Sequence, residues 1–527
     1  MFEIIGTDLS ARVGRLKTPH GEITTPALLP VIQPVSQSIS LDAISNLGFQ
    51  GVMTNAYITL RRKKDEAEKK GIHKIINFNG PIMTDSGGYQ ILEFGQVNTN
   101  LEQMALFQQK IKSDICVILD KPTGYKSSRE FAVNNVKDTL IAAKKTLNII
   151  EKTDSLWTGV VQGGLHLDLL AKCAQKMSKM PFDVYALGSP TGLMENYGFA
   201  QLGKMIIETK KNIPINKPLH LFGAGHPLTI PLAVSLGCDL FDSASYVLFA
   251  RRNKYMTENG TVNLTRLKTL PCLCSMCTKY SLKEIKEADS LEREKILGLH
   301  NLYVLQKEIM MVREAILEGR LWEYTLSKSR LHPNLWGSNI LFKEENEFFN
   351  DGTPLFKQKA IFITDHPDQY RPEIARHVNT IINNIKLDSK IKIIVIIPFI
   401  KNEFLFDSEF ITQIERSVKK KLDIIQFFVM KPPYGIVPLE ISDIYPTSQT
   451  VLSDNDEFTD NITIDNIKKI IFQFNIKNII FIHPKGWNPR FLKIISKHND
   501  IKIIKINTEK KESERFEAFQ NYIKNID

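Results

Sequence analysis

The sequence predicts an α/β protein whose first two thirds close into a (β/α)8 TIM barrel. Short apolar runs recur from residue 27 to residue 243, and most intervals between them hold a Lys-rich amphipathic stretch long enough for a helix. Such alternation implies right-handed crossovers and a parallel sheet. Eight units over roughly 250 residues fit the barrel.

In order, the runs are ALLPV (27–31), GVMTN (51–55), PIMTD (81–85), ICVILD (115–120), TGVVQGG (158–164), VYALGS (184–189), LHLFGAG ending at Gly225, and DLFDS (239–243). Glu130 to Lys152 is the clearest intervening helix. Asn55, Asp85, Asp120, Gln162, Ser189 and Asp242 stand at the C-terminal ends of their runs. One such residue could be a helix cap; six converge on the rim where barrel active sites are built. Thr278 to Leu321 reads as helical and Ser329–Asn339 as a closing loop, so the barrel unit is expected over 1–345. Beyond residue 350 the chain grows richer in Ile, Asn and Phe. Strand candidates at 359–364, 391–399, 424–430, 478–483 and 501–506 suggest a smaller α/β domain over 350–527.

Bulk composition narrows the class of protein. A 43% hydrophobic, 24% charged chain of 527 residues is ordinary for a globular protein of two or more domains. The net charge of +10 favours a polyanionic partner without specifying one. The start, MFEIIGTDLSARVGRL, offers no signal-peptide core. The most apolar stretch, Ile391 to Ile400, is about half a membrane span. Three of the six cysteines are scattered in apolar segments (Cys116, Cys173, Cys238), which excludes a disulfide framework and points to a reducing, cytoplasmic setting.

The other three form C-x-C-x-x-C: Cys272, Cys274 and Cys277, followed by His300. Three thiolates and an imidazole make a closed tetrahedral Zn2+ site of structural type. Loop cysteines bend around one ion and a helix supplies the fourth ligand. A zinc-binding subdomain is therefore expected at about 265–325. A redox C-x-x-C reading is weaker, because these cysteines follow Pro271 outside any thioredoxin-like unit.

Two aspartates carry the candidate chemistry. TDSGGYQ (Thr84–Gln90) puts Asp85 before a flexible Gly-Gly turn, and DLFDSASY puts Asp242 after the eighth run, with Asp239 a neighbour whose facing depends on register. Two carboxylates on one rim suit chemistry at an anomeric carbon, one attacking C1′ and the other moving the leaving group's proton. By themselves they also describe a glycoside hydrolase. That alternative calls for aromatic sugar platforms, and none of Trp157, Trp322, Trp336 and Trp487 follows a rim strand. Gln162 offers donor and acceptor together, suited to the edge of a nucleobase.

Taken together, TDSGGYQ, LDKPT, VVQGG, FGAGHP, DLFDSASY and PCLCSMCTKY with His300 resemble the tRNA-guanine transglycosylases, and in detail the archaeal type. The resemblance covers residues 1 to about 340 and continues more weakly through FITDHPDQYRPEIARH and PPYGIVPLEISDIYP. It implies that Asp242 is the nucleophile and Asp85 the general acid/base. Asp120, Gln162, the Gly188 backbone amide and Ser86 would hold the base, and one structural Zn2+ would be bound. The reaction implied is exchange of guanine 15 in the D arm of tRNA for preQ0 (7-cyano-7-deazaguanine), toward archaeosine. Pro190 and Thr191 stand where many archaeal members carry a pair of valines. No PUA domain is evident; either a separate PUA-domain protein supplies one or the enzyme works without it. A homodimer is implied by resemblance alone. Arg251, Arg252 and Lys254 are candidate phosphate contacts, with a solvated basic turn as the alternative. A catalytically silent tRNA-binding subunit would be expected to lack the nucleophile.

Overall fold

A computed structural model describes residues 1–88, 100–397, 412, 416, 419–453, 457–474, 478–483, 501–505 and 517–524. Tyr89, Gln90 and Trp487, and the ends of two strand candidates at 398–399 and 506, lie outside the described residues. The chain forms two compact units, Met1–Pro354 and Leu355–Asp527.

Unit one opens with an antiparallel sheet, β1 (Phe2–Asp8), β2 (Ala11–Thr18) and β3 (Gly21–Thr25), which the apolar-run pattern passed over. All eight expected strands then follow: β4 (Ala27–Pro30), β5 (Val52–Asn55), β6 (Ile82–Asp85), β7 (Ile115–Val117), β8 (Leu156–Val161), β9 (Val184–Leu187), β10 (Leu219–Leu221) and β11 (Leu240–Ser243). They pair in parallel in the order β4-β11-β10-β9-β8-β7-β6-β5. A parallel bridge between Val31 and Met53, with Ile32 N–H donating to Met53 O at 2.8 Å, joins the two ends. The strands read as continuous apolar runs because one face fills the barrel and the other meets helices.

The helix Arg129–Ile149 shows how the sequence builds that outer layer. Ser128 caps it by accepting from Phe131 N–H, and Ala132, Val136, Thr139, Ala143 and Thr146 form its buried stripe. The expected helical stretch from 278 is three helices, Ser275–Lys279, Leu282–Glu287 and Ser290–Leu317. The expected loop at Ser329–Asn339 is instead largely a helix, Pro333–Ser338, with His332 as its cap and Pro333 in its first turn. Proline there reads as a breaker in sequence, yet its missing N–H costs nothing at a helix start. A hairpin, β12 (Lys254–Thr257) with β13 (Gly260–Asn263), follows the barrel.

The lower end of the barrel is tied by buried charge. Arg12 on β2 donates to both oxygens of Asp239, Nε to Oδ1 at 2.9 Å and Nη2 to Oδ2 at 2.6 Å, and also bonds the carbonyls of Ile215 and Lys217. Asp239 accepts Leu219 N–H at 2.7 Å as well. Burial opposes its charge, but Arg12 and Lys210 outweigh it and hold the carboxyl below its ordinary range. Asp114, just before β7, is a second anchor, accepting from His20 Nδ1 (2.8 Å), His73 Nε2 (2.9 Å) and Ile82 N–H (2.8 Å).

Unit two holds a five-stranded sheet in the order β17-β16-β15-β19-β20, with β15 (Ile393–Ile397), β16 (Ile425–Lys431), β17 (Gly435–Pro438), β19 (Asn478–His483) and β20 (Ile501–Lys505), plus a parallel pair of β14 (Ile361–Ile363) and β18 (Thr450–Leu452). Alternate residues serve two cores. Ile394, Ile396, Phe428 and Phe481 pack with Ile374, Ile464 and Ile467, while Ile393, Val395, Phe427 and Ile480 pack with Phe519. Among the described residues no helix is long and apolar enough to cross a membrane.

Arg12→Ala would leave Asp239 buried without its partner and is expected to destabilise unit one by about 3–5 kcal/mol, read as a lower urea midpoint. The folded-state pKa of Asp239 is depressed, so its contribution is full above the unfolded value of about 4 and fades as pH falls through the folded one. The gap between wild type and variant should therefore narrow in acid.

Candidate active site and metal centre

Because β5 and β6 pair in register, Asn55 lies beside Asp85, and its Nδ2 donates to Asp85 Oδ2 at 3.0 Å. Asp85 is partly buried in the barrel mouth. Desolvation, and then the negative charges of Asp120 and Asp242, push its carboxyl up to about 7, against backbone donors at Gly87 and Ser86. Three acidic side chains thus share one field. Ser86 is fully buried and its hydroxyl donates to Ile118 O at 2.8 Å. The side chain fastens the β6 loop to the β7 loop.

Asp120 and Gln162 form one unit. Gln162 Nε2 donates to Asp120 Oδ2 at 2.6 Å, while its Oε1 accepts from Thr123 N–H (3.0 Å) and Ser189 Oγ (3.1 Å). The amide is therefore oriented with its oxygen already engaged. Burial raises the Asp120 carboxyl to about 6 despite the Gln162 bond. Two glycines make room for the pair. A Cβ on Gly88 would lie 2.6 Å from Asp120 Oδ1, and one on Gly188 would lie 2.2 Å from Gln162 Nε2. The Gly188 N–H donates to Val161 O at 2.9 Å, as part of the β8–β9 ladder. The absence of a side chain at Gly188 makes room for the Gln162 amide.

Asp242 is the penultimate residue of β11, three residues beyond the buried Asp239, so the two carboxylates lie toward opposite ends of the barrel. Its Oδ1 accepts from His220 Nε2 at 2.8 Å and from Gly223 N–H at 3.0 Å. Gly223 takes φ +70°, and a Cβ there would lie 2.5 Å from the Thr191 methyl, so Thr191 borders the loop that bonds Asp242. Sequence reasoning missed His220. It sits inside an apolar run, where a lone histidine carries no motif.

The basic residues differ among themselves. Arg251 is held by Glu294 through Nε (3.0 Å) and Nη2 (3.2 Å), Arg252 is exposed, and Lys254 Nζ lies 5.2 Å from the Phe249 ring centre.

Cys272, Cys274, Cys277 and His300 present ligand atoms all within 4.8 Å of one another. His300 Nδ1 lies 3.5 Å from Cys274 Sγ and 3.4 Å from Cys277 Sγ. With Zn–S near 2.3 Å and Zn–N near 2.05 Å, a tetrahedral S–N edge is about 3.5 Å. The donor set and spacing fit such an ion. His300 Nε2 donates to Met256 O at 2.8 Å, which leaves Nδ1 free of hydrogen toward the sulfurs, and Tyr255 stacks on the ring at 3.7 Å. The scattered Cys116, Cys173 and Cys238 are buried free thiols.

The tRNA-guanine(15) transglycosylase of Methanococcus aeolicus is 38% identical over 463 residues, 85% of this chain and 68% of that protein. The protein of the same name from Sulfolobus acidocaldarius is 36% identical over 454 residues, 85% and 88% of the two chains. That from Aeropyrum pernix is 44% identical over 335 residues, 63% and 65%. The family described as Queuine tRNA-ribosyltransferase matches residues 8–334, a span that holds every rim residue and all four metal-ligand candidates, and the chain belongs to that family.

Proposed function

We propose that this chain exchanges guanine 15 in the D arm of tRNA for preQ0, a step toward archaeosine, through a covalent Asp242–ribosyl intermediate. The observation that carries the reading is a rim with carboxylates in different settings: Asp242 pinned through one oxygen, Asp85 raised to about 7. A carboxylate oxygen of Asp242 attacks C1′ and the C1′–N9 bond breaks, its electrons leaving with guanine. Asp85 in its acid form gives that base a proton. The incoming base then loses its N9 proton to Asp85 and displaces Asp242 from C1′. One N-glycosidic bond replaces another, so no ATP is consumed. Asp120 and the remaining N–H of Gln162 read the guanine-like edge, with Pro190 and Thr191 beside the 7-substituent. The target nucleoside must be turned out of the tRNA before C1′ is accessible.

Cys272, Cys274, Cys277 and His300 hold one Zn2+ when the metal is bound. With four protein ligands it serves as a cross-link, and the chemistry at the rim is left to the carboxylates. Arg252 and Lys254 contact phosphate, with Arg251 restrained by Glu294. The 350–527 domain positions tRNA passively. The enzyme acts in the cytoplasm as a homodimer, and a separate PUA-domain protein completes the grip on tRNA where one is present.

Labelled guanine should enter an unmodified tRNA transcript with wild-type protein and be displaced by preQ0, while Asp242→Ala, folded and metal-loaded, gives no incorporation; activity in that variant would refute the nucleophile. The pH profile of kcat/KM should bend near 7, where Asp85 passes from acid to base. Asp85→Asn should be slow and lack that bend; a bend that persists assigns it to another group. Elemental analysis should give about one Zn per chain. Cys274→Ser should lose metal and unfold at lower denaturant, and retained zinc would remove Cys274 from the ligand set.

A further inference from the structure

We infer that His220 is the positioning residue for the nucleophile: it commits Oδ1 of Asp242 and leaves Oδ2 as the oxygen that bonds to C1′. The inference rests on the base-exchange reading above and deepens it. His220 is the central residue of β10, fully buried, with its backbone in register between Ala186 of β9 and Leu240 of β11. Its Nε2 reaches Asp242 Oδ1 at 2.8 Å, and the Gly223 N–H reaches the same oxygen at 3.0 Å. Among the described residues no hydrogen bond falls on Oδ2. Two donors converging on one oxygen stop the carboxylate from rotating, and the unbonded oxygen keeps its lone pairs for attack.

The proton on this contact belongs to the imidazole, because a carboxylate only accepts. The other ring nitrogen, Nδ1, is buried without a hydrogen-bond partner among the described residues, and the ring packs 4.9 Å from Phe222. The opposite tautomer would set a nitrogen lone pair against the carboxylate and bury an N–H with no acceptor, so the surroundings select the Nε2–H form. The same contact serves both halves of the exchange. When Oδ2 bonds to C1′, Oδ1 becomes the ester carbonyl oxygen and still accepts both donors. When the incoming base breaks the C1′–Oδ2 bond, the electron pair returns to the carboxylate, whose charge the two donors stabilise.

The test uses full-length, zinc-loaded protein and three variants. His220→Phe keeps a ring and removes the donor. His220→Gln places an amide N–H near the Nε2 position, and His220→Asn carries the same group one methylene short. Guanine exchange should show kcat reduced on the order of 10²-fold in His220→Phe, with KM for tRNA and for guanine unchanged. His220→Gln should recover a larger share of kcat than His220→Asn. A packing role alone would separate those two amides only in step with their urea midpoints. Equal rates for Gln and Asn, or a wild-type kcat in His220→Phe, would overturn the inference while leaving base exchange standing. Absence of exchange by the wild-type protein would instead remove the reading beneath it. Should His220→Phe fail to fold, the Gln and Asn comparison decides.

Discussion

Arg12 and Asp239 meet where β11 begins, and the geometry of the rim depends on that meeting. The pair is buried on both sides, with side-chain exposures of 4% and 1%. Backbone bonds from Ala27 N–H to Asp239 O (2.9 Å) and from Asp239 N–H to Leu219 O (2.8 Å) seat the same residue between β4 and β10. A strand located so firmly at its lower end has little freedom of register at its upper one. A slip of one residue would turn Asp242 out of the mouth and Phe241 into it. The cost of burying two opposite charges is met by three further bonds to backbone, from Arg12 to the carbonyls of Ile215 and Lys217 and from Leu219 N–H to Asp239. The ion pair thus acts as a gauge for strand position more than as a source of net stability.

Much of this was legible in the sequence, for identifiable reasons. Buried parallel strands advertise themselves as apolar runs, and all eight fell where the runs lie. Polar residues at their ends marked the rim, and close cysteine spacing marked a cluster that could hold a metal ion. The failures are equally physical. The β1–β3 sheet mixes charged and apolar residues because one side meets solvent, so it offers no run. Pro333 reads as a loop residue in isolation and as a helix start only once His332 is seen capping. The β17 and β18 strands are short and bounded by Gly435 and Pro438 or by polar turns. His220 depends on which neighbour an atom faces across strands, and linear order holds no record of that.

Among the described residues, none of the rim residues hydrogen-bonds Cys272, Cys274, Cys277 or His300. The Cys3His cluster draws on a separate set of supports: Met256 and Tyr255 from the hairpin, and a small core of Leu264, Leu267, Ile285 and Ile296. The ligand helix Ser290–Leu317 runs far beyond the centre itself, and His300 occupies only one of its turns.

The glycines around the carboxylates have a consequence for how such a site can diverge. At Gly88, Gly188 and Gly225 the space a side chain would need already holds Asp120, Gln162 and Ser243. The floor of the mouth is close-fitting and cannot be recut by single substitutions without displacing the groups that define it. The segment Pro190–Thr191 is different, since it enters a short helix, Thr191–Glu195, whose residues are mostly only partly buried. Lineages drifting toward a new heterocycle would be expected to vary there first, keeping the reaction and changing the guest.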